Sequence, residues 1–182
     1  MTTLNDLANK YGTDKGDQHH ERHGYASIYE RLIHSIAGSG SREFTLLEIG
    51  VFDPRFPGAS MRMWREFLPA AQLHGMDNNP KATALEGCQV HVLDQGDPEA
   101  LRAMMARVGP VDFVCDDGSH RIDHIQTTFS AVWPHVRSGG VYVIEDLHAA
   151  QAKPTEAIVR HVVDCGGAAS LMAAGKLCVV RR

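Results

Sequence analysis

The sequence predicts an α/β fold: a mostly parallel sheet with helices on both faces. Three observations carry this. After residue 40, strand-like and helix-like segments alternate along the chain. The strand-like runs are short and apolar, as strands buried on both faces are. And each of the five central strands closes on an acid: Glu48, Asp77, Asp94, Asp116-Asp117 and Glu145-Asp146. In open sheets of this kind ligands bind at the carboxyl ends of the strands.

Taken in order, the first 40 residues are a block of their own. They hold Tyr11-Gly12-Thr13-Asp14-Lys15-Gly16, then His19-His20-Glu21-Arg22-His23, then a helix marked by Ile28, Leu32 and Ile36. The block reads either as a solvated N-terminal arm or as a flap over a ligand, ahead of a single domain at 41–182. Thr45–Gly50 reads as the first strand, and Trp64, Phe67 and Leu68 mark the helix that follows. Gln72–Asp77 and Gln89–Asp94 read as the second and third strands. Asp97-Pro98-Glu99 opens a helix with a capping side chain, a proline and an acid in the first turn. Val111–Cys115 is the fourth strand. Ile122, Ile125, Phe129, Val132 and Val136 repeat at helical spacing, and Gly140–Ile144 is the fifth strand. Ala157, Ile158 and Val162 mark a last helix. Ala169–Ala173 and Leu177–Arg181 flank Ala174-Gly175-Lys176 as a hairpin that adds one antiparallel strand.

Composition narrows the function. The chain has 182 residues, 43% apolar and 22% charged, enough for one domain with a sizeable core. A formal charge of −4 offers no basic face for nucleic acid. No apolar run is long enough to span a membrane. Met1–Asp6 lacks the basic and apolar regions of a signal peptide, so a cytoplasmic setting is expected. Cys88, Cys115, Cys165 and Cys178 are scattered and read as reduced structural thiols.

The two acidic pairs are the chemical signal. On neighbouring parallel strands they lie roughly 5 Å apart, and carboxylates that close need cations, protons or donors to coexist. Asp117, Glu145 and Asp146 offer hard oxygen ligands suited to Mg²⁺. His120, three residues past Asp117, stands close enough to take a proton from a hydroxyl on that cation; alone, it reads as a loop histidine. Because adjacent strand residues face opposite ways, Asp116 is expected on a cofactor side and Asp117 on the metal side. His19 and His23 would share a face if helical, although the flanking glycines argue against a helix there. His148 reads as a support for the cluster or as a plain loop residue.

Other strand ends suit an organic cofactor. Gly50 permits close backbone approach, yet no Gly-x-Gly-x-x-Gly follows, so a pyrophosphate grip is not expected. Glu48 suits a cationic amine, Asp77 a ribose, and Asp94-Gln95 an adenine. An amino acid, a ribose and an adenine in that order describe S-adenosylmethionine.

These residues carry a resemblance. Tyr11–Gly16, Leu46–Val51, Gly58–Trp64, Asp94–Pro98, Asp116–Arg121 and Tyr142–His148 are similar to segments of the class I S-adenosylmethionine-dependent methyltransferases. The chain most resembles the metal-dependent sugar O-methyltransferases of macrolide and antibiotic biosynthesis. The resemblance implies a Rossmann-like seven-stranded sheet of order 3-2-1-4-5-7-6. It implies Mg²⁺ on Asp117, Glu145 and Asp146, and His120 as general base. It implies cofactor contacts from Glu48, Gly50, Ser60, Asp77, Asp94, Gln95 and Asp116, with Thr13–Lys15 closing over S-adenosyl-L-methionine. A small-molecule hydroxyl would be the acceptor, and relatives of this kind often assemble as homo-oligomers. The turn Val51–Pro57 lacks the second glycine usual after the first strand, and the stretch after His148 is shorter than in those relatives. The acceptor is therefore open between a free sugar, a glycoside and a non-sugar. Methylation of nitrogen or another group, a cephalosporin hydroxylase-like activity and a non-catalytic nucleoside-binding domain are the competing readings.

Overall fold

The computed structural model describes residues 2–18, 23–37, 43–84, 86–147 and 152–182. Seven strands among them form one sheet: β1 Thr45–Ile49, β2 Gln72–Asp77, β3 Gln89–Val92, β4 Val111–Asp116, β5 Val136–Ile144, β6 Ala168–Met172 and β7 Leu177–Arg181. Their order is β3-β2-β1-β4-β5-β7-β6. The first five are parallel, and β7 runs antiparallel to both β5 and β6. This is the order the family resemblance implies.

Alternation along the buried strands divides the core in two. On one face α1 Leu4–Tyr11, α2 Ala26–Ala37 and α3 Ala59–Phe67 cover Leu46, Phe113, Cys115 and Val141. On the other, α4 Pro98–Val108, α5 Ile122–Val132 and α6 Ala152–Asp164 cover Leu47, Ile49, Val114 and Tyr142. Tyr29, Trp64 and Phe113 meet ring to ring at 5.7–6.0 Å, locking α2 and α3 onto β4.

Three features depart from the sequence reading. Helix α1 was not anticipated, although its signal is present: Thr3 and Asp6 form a reciprocal capping box, with Leu4 and Leu7 turned inward. The described residues among the first 40 are not a solvated arm, since Leu4, Leu7, Tyr25, Tyr29 and Ile33 are buried with Leu46 and Trp64. And Val136 opens β5 rather than closing the preceding helix. The α-helical run stops at Val132, a short tight turn through Pro134 follows, and β5 pairs from Val136 with a shifted register against β4.

His19, His20 and His148 lie outside the described residues. No helix among the described residues is long and apolar enough to cross a membrane.

Candidate active site at the carboxyl ends of the strands

The strand order reverses between β1 and β4, and the candidate site opens there. Gly50 makes it possible. Its φ is +85°, and the amide of Asp117 donates to the Ile49 carbonyl at 2.9 Å. A Cβ at position 50 would run into the Asp117 carbonyl, so only glycine lets the two strand ends lie flush.

Beside Gly50 is a cleft of about 400 Å³ lined by Asp77, Asp94, Gln95, Ser119 and His124, a size that suits a small organic ligand. Asp77 holds its rim: Oδ2 accepts from the amides of Val51 and Phe52, and Oδ1 from Asn79. Asp94 accepts from the Gly96 amide and so shapes its own turn. Gln95 is 5% exposed and engaged at both ends, donating to Asp116 at 2.8 Å and accepting from the Ser119 amide at 2.9 Å. Asp116 lies one layer behind, with its second oxygen accepting from the Tyr142 hydroxyl. Burial pushes its carboxyl up to about 7, against the pull of those two donors. Asp116 and Asp117 do face opposite ways. Asp116, however, reaches the cleft only through Gln95, which it fixes by taking the amide nitrogen.

Thr13, Lys15, Ser60 and Asp117 line an adjoining hollow. Lys15 is 1% exposed, and its ammonium lies 2.6 Å from Asp117, 3.0 Å from Glu145, 3.6 Å from Glu48 and 3.9 Å from Asp14. Desolvation lowers the lysine pKa, but Asp117 and Glu145 outweigh it and hold it well above its ordinary value. Glu48 is not at a strand end. It sits within β1, fully buried, where Trp64 Nε1 donates to it at 3.0 Å. Burial pushes it up to about 7 against the pull of Lys15. Burial and then Glu145 likewise raise Asp117 well above the carboxylate range. Glu145 is engaged by Lys15 and by the Cys115 thiol at 2.8 Å.

At the solvent edge, Asp117, His120 and Asp146 bring ligand atoms within 4.8 Å of one another. His120 Nε2 lies 3.8 Å from Asp117 Oδ1 and 4.0 Å from Asp146 Oδ2. His120 and Asp146 both adopt φ of +55°, a region side chains disfavour and one that clusters at functional sites. The donor chemistry fits a hard divalent ion, and the Lys15 ammonium already acts as a cation between Asp117 and Glu145. Glu145 is outside this convergent group, its oxygens engaged by Lys15 and Cys115.

Five site residues escaped the sequence reading. Tyr25 donates to Asp146 at 2.8 Å. Trp64 and Tyr142 read as core residues, which concealed their polar ends. Ser119 Oγ and His124 Nδ1 meet at 2.9 Å beside the cleft; of these, Ser119 fell inside the acidic motif without a role.

A family model described as a methyltransferase domain matches residues 47–147. Demethylmacrocin O-methyltransferase of Streptomyces fradiae is 40% identical over 151 residues, covering 81% of this chain and 37% of that protein. Mycinamicin VI 2''-O-methyltransferase of Micromonospora griseorubida is 37% identical over 165 residues, covering 84% of this chain and 40% of that one. Among solved structures, MycE methyltransferase from the mycinamycin biosynthetic pathway, in complex with Mg, SAH and mycinamycin VI, superposes with a TM-score of 0.81 at 32% identity. It covers 98% of this chain and 54% of that chain. The chain thus spans less than half the length of these two curated relatives and about half of MycE.

Proposed function

Because the chain belongs to the methyltransferase-domain family matched over residues 47–147, we propose that it transfers a methyl group from S-adenosylmethionine to a hydroxyl of a small molecule, a sugar or a glycosylated natural product, with Mg²⁺ at the acidic cluster. The observation that carries this is the convergence of Asp117, His120 and Asp146 within 4.8 Å, beside the Gly50 cleft. The named activities of the relatives, O-methylation of demethylmacrocin and of mycinamicin VI, support the acceptor class.

The cofactor fits the cleft. Asp77 and Asp94 line it with acceptors for hydroxyls, and Gly50 leaves backbone room beside Asp117. Asp116, through Gln95, keeps the far wall fixed. Thr13 and Lys15 close the hollow on the near side. When bound, S-adenosylmethionine supplies an electrophilic methyl group. Asp117, Glu145 and Asp146 are the residues that would hold Mg²⁺, which would acidify a hydroxyl bound to it.

The rest of the work falls to the chain. His120 Nε2 takes the proton of the acceptor hydroxyl. Asp117 and Asp146, 3.8 Å and 4.0 Å from that nitrogen, stabilise the imidazolium that results. The cluster and the cleft share Asp117, so acceptor and donor are brought together at the end of β4. Positioning of this kind accounts for much of the rate in a displacement between bound partners.

The test is transfer of label from methyl-labelled S-adenosylmethionine to a panel of macrolide glycosides, free deoxysugars and amines. Labelling of a glycoside hydroxyl that stops on chelation and in Asp117→Ala supports the reading. Label on nitrogen, or full activity of Asp117→Ala in chelator, overturns it.

A further inference from the structure

The acidic cluster is shaped from a distance by the N-terminal segment. Asp146 follows β5 in a backbone conformation of φ +55° that side chains disfavour. The flanking backbone is anchored: the Glu145 amide donates to the Asp116 carbonyl at 2.9 Å, and the Leu147 amide to the Lys176 carbonyl at 2.8 Å. The Asp146 side chain is restrained by the Tyr25 hydroxyl, which donates to Oδ1 at 2.8 Å across 121 positions of sequence, with His23 Nε2 3.8 Å from the same oxygen.

Tyr25 is itself held firmly. Its residue is fully buried, its ring stacks on His23 at 5.0 Å with an 11° interplanar angle, and it leans on Tyr29 at 6.1 Å. A donor on so fixed a ring dictates which Asp146 oxygen it takes. With Oδ1 taken, Oδ2 is the oxygen that faces His120 Nε2 at 4.0 Å. The same division occurs at Asp117, where Lys15 takes Oδ2 at 2.6 Å and Oδ1 faces His120 at 3.8 Å.

We propose that Tyr25 is a positioning residue of the cation site, fixing the Asp146 carboxylate so that Oδ2 is presented together with Asp117 Oδ1. It rests on the cation reading given under Proposed function. Tyr25 is fully buried and acts through Asp146. Partners that orient metal-binding carboxylates in this way typically change metal affinity by 10- to 100-fold when removed.

The experiment uses Mn²⁺ alone as the probe. Its binding to the wild-type chain, Tyr25→Phe, Asp146→Asn and Asp117→Ala is followed by electron paramagnetic resonance in the cold, with a thermal melt of each. Tyr25→Phe keeps the ring and its stacking and removes one hydroxyl. The expected result is wild-type binding that Asp117→Ala and Asp146→Asn abolish and that Tyr25→Phe weakens about tenfold. A merely structural tyrosine would lower the melt and leave Mn²⁺ affinity in the folded protein intact. Affinity within twofold of wild type in Tyr25→Phe overturns this proposal alone. A wild-type chain that binds no Mn²⁺, or binds it equally without Asp117, overturns the cation reading and this proposal together.

Discussion

Replacing Lys15 with methionine removes an ammonium that reaches Glu48, Asp117 and Glu145 together. The attraction across the 3.0 Å to Glu145 alone is about 5 kcal/mol at an effective dielectric of 20. Much of that is offset in the wild type by the cost of burying the lysine. The variant keeps the buried carboxylates and loses their partner, a change that costs about 3–5 kcal/mol. In a chain of 182 residues that lowers the melting temperature by roughly 10 °C. The loss has a pH signature. Glu48 holds its proton up to about 7, so below that pH the cluster carries less charge and needs Lys15 less. The assay is thermal and urea unfolding of both proteins in chelator at pH 5.5 and pH 8. Lys15→Met should be far less stable at pH 8 and closer to wild type at pH 5.5. Equal stability at pH 8 to within about 1 kcal/mol would refute the reasoning, since breaking a buried pair cannot be that cheap.

Other consequences follow from the same geometry. His120→Ala should lower the transfer rate by about 10²–10⁴, the usual worth of a general base, while S-adenosylhomocysteine binding measured by calorimetry stays intact. Gly50→Ala would put a methyl group against the Asp117 carbonyl at φ +85°. It should destabilise the fold by at least about 1–3 kcal/mol in urea and abolish cofactor binding. Asp116 and Glu48 are raised to about 7 from ordinary values of 3.8 and 4.5. The folded state therefore keeps protons that the unfolded chain gives up, and stability falls as pH rises from about 4 to about 7 and levels off above. Each group accounts for a change on the order of 3 kcal/mol. Urea unfolding in chelator checks this, and Asp116→Asn should flatten the slope appreciably.

The sheet was legible because strands buried on both faces must be apolar, and the acids punctuating them had no core role to explain them. The same logic located Asp77 and Asp94 at the cleft, whereas Asp117, read as facing the metal side, lines the cleft as well and Asp116, read as facing the cofactor, lies behind it. It failed for Glu48, where β1 runs on to Ile49 and turns the carboxylate inward under Trp64. Helix α1 went unread although its capping box was present, because Leu4 and Leu7 alone make a thin apolar stripe. Val136 fits the helical repeat, but Pro134 and the pairing of β5 with β4 override it. The contacts that tune the site were beyond local pattern altogether. Lys15 meets Asp117 across 102 positions and Tyr25 meets Asp146 across 121. Nothing in a spacing of that size identifies a partner; the packing of α2 and α3 on β4 brings them together.

The most direct measurement is a crystal structure of the chain grown with Mn²⁺ and S-adenosylhomocysteine, with anomalous data at the manganese edge. The account predicts one anomalous peak coordinated by Asp117, Glu145 and Asp146 at the ends of β4 and β5, beside His120, with the nucleoside in the cleft over Gly50 and Asp77. A peak elsewhere, or a cluster in which Lys15 remains the sole cation while the cleft holds no nucleoside, would contradict it.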